Sequence, residues 1–277
     1  MPFITINNRT LHYLDVGKGP ALLLGHAYLV DHAVWREQIA VLSEKFRCIV
    51  PDLWGHGLSS ATPDTNISIR SLSEDYWVLM QALDIKEYSV LGLAVGGVWA
   101  VQMALDYPDS VNALVLINPG VVDGDANSRH YYTELLNTVE QHQYIPNDVV
   151  EKLIPLFFSQ HVQKEREELT QEFKSNLFAI EGPKLSTLVN MGRNILDFCE
   201  IQGVESLQVP TLILAGESAR ICSPQLSKAY SEKIAGADLR MIPKAGHMPC
   251  VEQPEVVNTH LQEFFGKLYP GSVSPLF

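Results

Sequence analysis

Six short apolar runs constrain this chain more than any other feature: PALLLG, FRCIVPD, YSVLGL, VNALVLINP, VPTLILAGE and ADLRMIP, most of them bounded by Gly, Pro or Asp. Helical patterns lie between them, near Ala33 to Leu42, Ser71 to Leu83, Gly96 to Tyr107, Pro224 to Ile234 and Pro254 to Leu268. Continuous apolar strands separated by helices predict an α/β fold, a mostly parallel central sheet buried on both faces and flanked by helices. Ahead of the runs, FITI and RTLHYLDV read as an opening hairpin that turns at Asn7-Asn8. The rhythm breaks from about Asp123 to Gln208, where no strand is convincing and several stretches are amphipathic. The expected organisation is a core of residues 1–122 and 209–277 with a helical cap, 123–208, inserted between two core strands.

Composition sets outer bounds. With 277 residues, 46% hydrophobic and 19% charged, the chain fits one compact domain carrying an inserted subdomain. No low-complexity run, solenoid-period repeat or apolar segment of the roughly 18 residues needed to span a bilayer is present. MPFITINNRT lacks the basic start and apolar core of a secretory signal, so the expectation is a soluble cytoplasmic protein with no membrane partner. A formal charge of −12 leaves no basic face for nucleic acid. Cys48, Cys199, Cys222 and Cys250 show neither CxxC nor metal-ligand spacing; they read as small buried hydrophobes, and no metal is expected.

The chemistry begins at LGLAVGGVWA, residues 91 to 100, where an apolar strand runs into a Gly-rich corner and then a helix. A G-x-S-x-G elbow needs Gly on both sides of its nucleophile, because side chains collide in so sharp a turn. Gly92-Leu93-Ala94-Val95-Gly96 meets every steric demand of that motif and lacks only the serine. Alone this is weak, since many α/β strands end in glycine. Two further segments concur: PDLWGHGLSS, with Asp52, Gly55, Gly57 and Ser59 in a D-x-x-G-x-G-x-S pattern, and GHMPCVEQP, with His247 at a strand end.

Together with LLLGHAYLVD after an earlier strand, this combination resembles the α/β-hydrolase fold family, specifically its small esterases and lactonases, over essentially the whole chain. The resemblance implies roles position by position. His247 matches the general base. Ala94 stands where the nucleophilic serine belongs. The family's acid lies in a pattern like G-E-x-D-x-x-x-P, and in GESARICSP its slot is Ala219. Backbone N–H groups of about Ala27 and of Val95 match the oxyanion hole. Expected substrate contacts are Tyr28, Leu153, Met191 and Met248. No metal or organic cofactor is implied.

Alanine at both positions, inside intact frames, is the pattern a laboratory truncation leaves; natural decay would scatter into Gly, Asn, Asp or Thr and erode the glycines. The chain therefore reads as a serine hydrolase for a carboxylic ester or lactone, inactivated so that ligand is held unreacted. A natural pseudoenzyme or ligand-binding protein on the same scaffold is the alternative, and a His-based dioxygenase or lyase a third. Ala27 is either natural or another substitution. Asp123, Asp125 or Glu217 could stand in for the missing acid. Asp52 and His56 read as loop-shaping, His26 as either a turn residue or part of the oxyanion loop, Trp35 and Trp99 as core, and Asp75 as a surface or helix-to-loop contact. In the cap, Tyr131, Tyr132, Tyr144, Phe157, Phe158, Phe173, Phe178 and Phe198 are divided between its own core and an apolar chamber over the elbow. Residues 121 to 208 carry 14 Asp/Glu against 7 Lys/Arg, which favours a free small-molecule ester over one on an acidic carrier protein. The sequence specifies no protein partner. On this reading the cap sets specificity and the core alone supplies the chemistry.

Overall fold

The computed structural model describes residues 2–63, 67–120, 126–198 and 200–270. Eight strands form one sheet: β1 (Phe3–Ile6), β2 (Arg9–Val16), β3 (Ala21–Gly25), β4 (Arg47–Pro51), β5 (Tyr88–Leu93), β6 (Val111–Ile117), β7 (Thr211–Gly216) and β8 (Asp238–Ile242). Their order is β1-β2-β4-β3-β5-β6-β7-β8. The hairpin β1-β2 and the β2-β4 pair are antiparallel; every other pair is parallel. The predicted α/β class is thus the observed one. Asn7 and Asn8 both take positive φ, 49° and 61°, as a two-residue turn between right-twisted strands requires.

The sheet is covered on both faces, and the strands' period of two sorts their residues between the covers. Leu22, Leu24, Leu91, Leu93, Val115, Ile117, Leu212 and Leu214 pack with Trp35, Phe46 and Phe265, beside helices α1 (Arg36–Leu42) and, at the C-terminal end, Pro254–Leu268. The intervening Leu23, Val90, Leu114, Leu116 and Ile213 pack with Leu72, Tyr76 and Trp99 of α2 (Ile69–Ala82) and α3 (Val95–Asp106). Trp35 and Trp99 are fully buried, as expected of core residues. Trp99 also explains Gly25: a Cβ there would lie 2.1 Å from the indole. Cys48, Cys222 and Cys250 are buried and form no disulfide with one another, and Cys199 lies outside the described residues.

Between β6 and β7 the described chain carries five α-helices and no strand: α4 (Ala126–His142), α5 (Asn147–Phe157), α6 (Gln160–Glu165), α7 (Glu167–Phe178) and α8 (Pro183–Asp197). Lys184 and Thr187 of α8 bond the core loop after β4, through Lys184 Nζ to the Gly57 carbonyl at 2.7 Å and the Thr62 N–H to Thr187 Oγ1 at 2.9 Å. The chain then closes with α9 (Pro224–Lys233), α10 (Pro249–Glu252) and α11 (Pro254–Leu268). Among the described residues, no helix is long and apolar enough to cross a membrane.

Candidate active site

The corner after β5 is a strained elbow. Ala94 holds φ 51° and ψ −116°, a conformation that L residues rarely adopt and that costs on the order of 1–3 kcal/mol. The positions two residues to either side have room only for glycine. A Cβ on Gly92 would sit 2.3 Å from the Gly96 carbonyl oxygen, and one on Gly96 would sit 2.2 Å from that of Gly25. The Ala94 N–H bonds the Ile117 carbonyl at 2.9 Å, which fixes the corner to the neighbouring strand. Val95 is the first residue of α3, so its N–H has no intrahelical acceptor and points out of the positive end of the helix. Replacing Ala94 by Gly removes the Cβ that makes this backbone costly. We expect Ala94→Gly to stabilise the fold by about 1 kcal/mol in denaturant unfolding.

Ala94 faces a chamber of about 800 Å³ of empty space, mouth included. The core side supplies Tyr28, Leu29, Ala94, Val95, Gly120, Ile221 and His247. The cap side supplies Tyr132, Leu135, Leu136 and Val139 of α4, Ile145, Val149, Leu153 and Phe157 of α5 and its lead-in, and Leu188, Gly192, Ile195 and Leu196 of α8. No carboxylate, ammonium or guanidinium lines it among the described residues. Gly192 carries no hydropathic signal in the sequence, yet a Cβ there would meet the Tyr28 hydroxyl at 2.6 Å and Leu136 at 2.9 Å. That close approach lets the Tyr28 hydroxyl donate to the Leu188 carbonyl at 2.8 Å.

His247 is 3% exposed, and among the described residues its Nδ1 has no hydrogen-bond partner. A buried imidazole nitrogen is rarely left so. Burial without a compensating carboxylate pushes its pKa down to about 4. Ala219 is buried at the turn after β7, where its methyl offers nothing to accept a proton. Glu217 is exposed, so it does not fill the gap, while Asp123 and Asp125 lie outside the described residues. The rest of the histidine loop is held firmly. Asn118 donates through Nδ2 to the carbonyls of Gly246 and His247, both at 3.0 Å, and accepts the Gly216 N–H at 2.9 Å.

The unfolded imidazole titrates near 6.5 and the buried one near 4, so the unfolded state takes up the proton first as pH falls. The stability tied to His247 is therefore intact above pH 6.5, and about 3 kcal/mol of it is lost by pH 4. Ala219→Asp would set a carboxylate beside Nδ1 and favour the protonated ring. NMR titration should find His247 near 4 in this chain and clearly higher in the variant; an unmoved value would show that position 219 is not the acid's slot.

Other residues of the region lie as follows. Met191 is fully buried in the packing layer that holds Trp54 and Trp99, and it does not line the chamber. Met248 directly follows His247 and lines a separate cleft with Phe158 and Val251. Ala27 is buried without facing the chamber; its carbonyl accepts from His26 Nδ1 at 2.7 Å, while His26 Nε2 accepts the Leu53 N–H at 2.8 Å. The segment between β6 and β7 also touches the histidine loop: the His247 N–H bonds the carbonyl of Phe157 at 3.2 Å and the two rings meet edge-on at 5.3 Å.

The remaining polar residues shape loops. His56 Nε2 accepts the N–H of Leu29, which sits at φ 69°, and His56 Nδ1 donates to the Trp54 carbonyl; burial keeps this ring neutral, with its pKa down to about 3. Asp75 is a buried helix-to-loop contact, accepting from Trp54 Nε1 at 2.7 Å and from Arg9. Asp52 accepts from His12 Nδ1 at 2.7 Å, from His32 Nδ1 at 2.9 Å and from the N–H groups of His32 and Leu58. His12, His32 and Asp52 are close enough to hold a metal ion, but the carboxylate is already taken up by four donors and none of the three lines the chamber. His12 carried no signal in the sequence that set it apart from other strand residues.

A family model described as the alpha/beta hydrolase fold matches residues 20–254. The chain belongs to that family. Its relatives include the 3-oxoadipate enol-lactonase 2 of Acinetobacter baylyi, 22% identical over 92% of each chain. An uncharacterized protein of Mycobacterium tuberculosis is 34% identical over 128 residues, 44% of this chain; the match spans little more than a third, 37%, of that longer relative. Among solved structures, a thermophilic esterase from Thermogutta terrifontis superposes with a TM-score of 0.85 over 94% of each chain at 25% identity.

Proposed function

We propose that this chain holds a neutral carboxylic ester or lactone with an apolar acyl group, on a site built for acyl-enzyme hydrolysis that lacks its nucleophile and its acid. The observation that carries this reading is the pairing of Ala94, strained into an elbow that serves an alanine no purpose, with His247, which lines the same chamber and whose buried Nδ1 has no hydrogen-bond partner among the described residues. The esterase and lactonase relatives support the ester class, and the absence of charge in the described lining supports a neutral ligand, because an unpaired ion there would lose its hydration.

In the complete reaction a hydroxyl at position 94 adds to the ester carbonyl while His247 Nε2 takes its proton. The oxygen gains negative charge toward the Val95 N–H and the oxyanion loop. Collapse of the tetrahedral adduct breaks the bond to the alcohol, which leaves with the proton from His247. Water then repeats the sequence on the acyl-enzyme and releases the acid. With a methyl group at 94 the first bond cannot form. The chain then binds without that turnover, whether the alanines were introduced or arose naturally. An imidazole held near 4 is also a poor base for removing a proton from carbon, so lyase or dioxygenase chemistry through His247 finds less support.

Binding of esters of graded length to the chain as it stands tests this. Octanoyl esters should bind more tightly than acetyl esters, by about 0.8 kcal/mol per buried methylene, and esters bearing a carboxylate should bind at least about ten-fold more weakly. Leu153→Trp should abolish the gain from the longer chain and leave the acetyl ester little affected. Met191→Trp should instead destabilise the fold by about 1–3 kcal/mol, as overpacking does in a core. Equal binding of charged and neutral esters would overturn the proposal.

A further inference from the structure

Glu252 is 2% exposed and lies at the end of α10, close to the histidine loop but outside the chamber. Its Oε1 accepts the N–H of Gly246 at 2.9 Å and of Met248 at 3.2 Å, the two amides on either side of His247. Its Oε2 accepts the N–H of Ser159 at 2.9 Å, and Ser159 is the cap residue that N-caps α6. A carboxylate withdrawn from water is tolerated when donors match its oxygens, and here they come from two separate parts of the fold. The two parts touch closely. The Ser159 hydroxyl donates to the Lys244 carbonyl at 2.9 Å, and a Cβ on Gly246 would lie 2.7 Å from the Ser159 nitrogen.

We propose that Glu252 is a positioning residue: one oxygen shapes the loop that carries His247 while the other fastens that loop to the cap, so that the imidazole's place beside Ala94 is set by cap and core together. This role deepens the function proposed above, since it rests on His247 being the site's base. It also accounts for a cap that reaches the base through Phe157 and Ser159 as well as closing the chamber.

Two variants of the full chain separate the two oxygens. In Glu252→Gln the carbonyl can satisfy the paired donors of Gly246 and Met248, which leaves the amide N–H₂ facing the Ser159 N–H. The Ser159 amide should then exchange with solvent about ten- to hundred-fold faster, the usual weight of a hydrogen bond to a charged group. The His247 ring resonances should move, and move further in Glu252→Ala, which loses all three bonds. Should Glu252→Ala fail to fold, the glutamine variant decides alone. A carboxylate with a merely structural role would lower the melting temperature while leaving the His247 ring signals where they were, and that result in folded Glu252→Gln would overturn the proposal. In the background of Ala94→Ser with Ala219→Asp, Glu252→Ala should cut kcat about a hundred-fold with KM nearly constant. If that background is itself inert, the hydrolase reading fails, while the resonance and exchange data still decide the role of Glu252.

Discussion

Ala94→Ser combined with Ala219→Asp is expected to raise ester hydrolysis by at least about 10³-fold over the chain as it stands, the weight that members of such a triad carry. The mount needs no rebuilding. Position 94 already holds the elbow backbone, its side chain already faces the chamber, and Val95 already presents its N–H. Ala94→Ser alone should recover part of the rate, because an imidazole near 4 takes the hydroxyl proton poorly. Ala219→Asp alone should recover none through an acyl-enzyme, since no nucleophile is present. The two changes should therefore combine far from additively, as groups that act as a unit do. Steady-state rates on p-nitrophenyl acetate, butyrate and octanoate check this. A double variant no faster than the starting chain on all three would contradict the assignment of both positions.

The second large effect concerns stability. Gly96→Ala should destabilise the fold by more than about 4 kcal/mol, a range reserved for backbone conflicts and comparable core damage. Its Cβ would come within 2.2 Å of the Gly25 oxygen and 2.9 Å of the His26 oxygen, both backbone atoms, of β3 and of the loop that follows it. No rotamer change relieves such a contact; the strand or the helix must move. Gly97→Ala is the control, because there the nearest atom is 3.2 Å away and the next belongs to Pro119. Urea unfolding of the pair should show a large loss for Gly96→Ala and a much smaller one for Gly97→Ala. Similar losses would mean that the corner is looser than its geometry implies.

The elbow was legible in the sequence because steric exclusion writes itself as glycine, and Gly92 and Gly96 are where a side chain has no room. The central strands were legible for a similar reason: burial on both faces demands apolar runs, and YSVLGL matches β5 end to end, while RTLHYLDV, legible as a hairpin strand, matches β2. The chamber lining was not. Leu188, Gly192, Ile195 and Leu196 share one stripe of α8 at helical spacing, but the residue on which their approach to Tyr28 depends is a glycine without hydropathic weight. Met191 lies in the same amphipathic stretch, one position before Gly192, and a step of about 100° along the helix is enough to take it out of the lining. The tie between Phe157, Ser159 and the histidine loop joins residues some ninety positions apart, and such pairings leave no local pattern. Glu252 was in view in GHMPCVEQP, yet nothing in that string says that its carboxylate faces inward.

The central claim is that position 94 is a nucleophile's seat. Labelling Ala94→Ser, with and without Ala219→Asp, by a fluorophosphonate probe and mapping the adduct by peptide mass spectrometry tests it most directly. Stoichiometric phosphonylation at position 94, faster when Ala219→Asp is present and absent from the starting chain, is the predicted result; no adduct at position 94 in either folded variant would contradict the account.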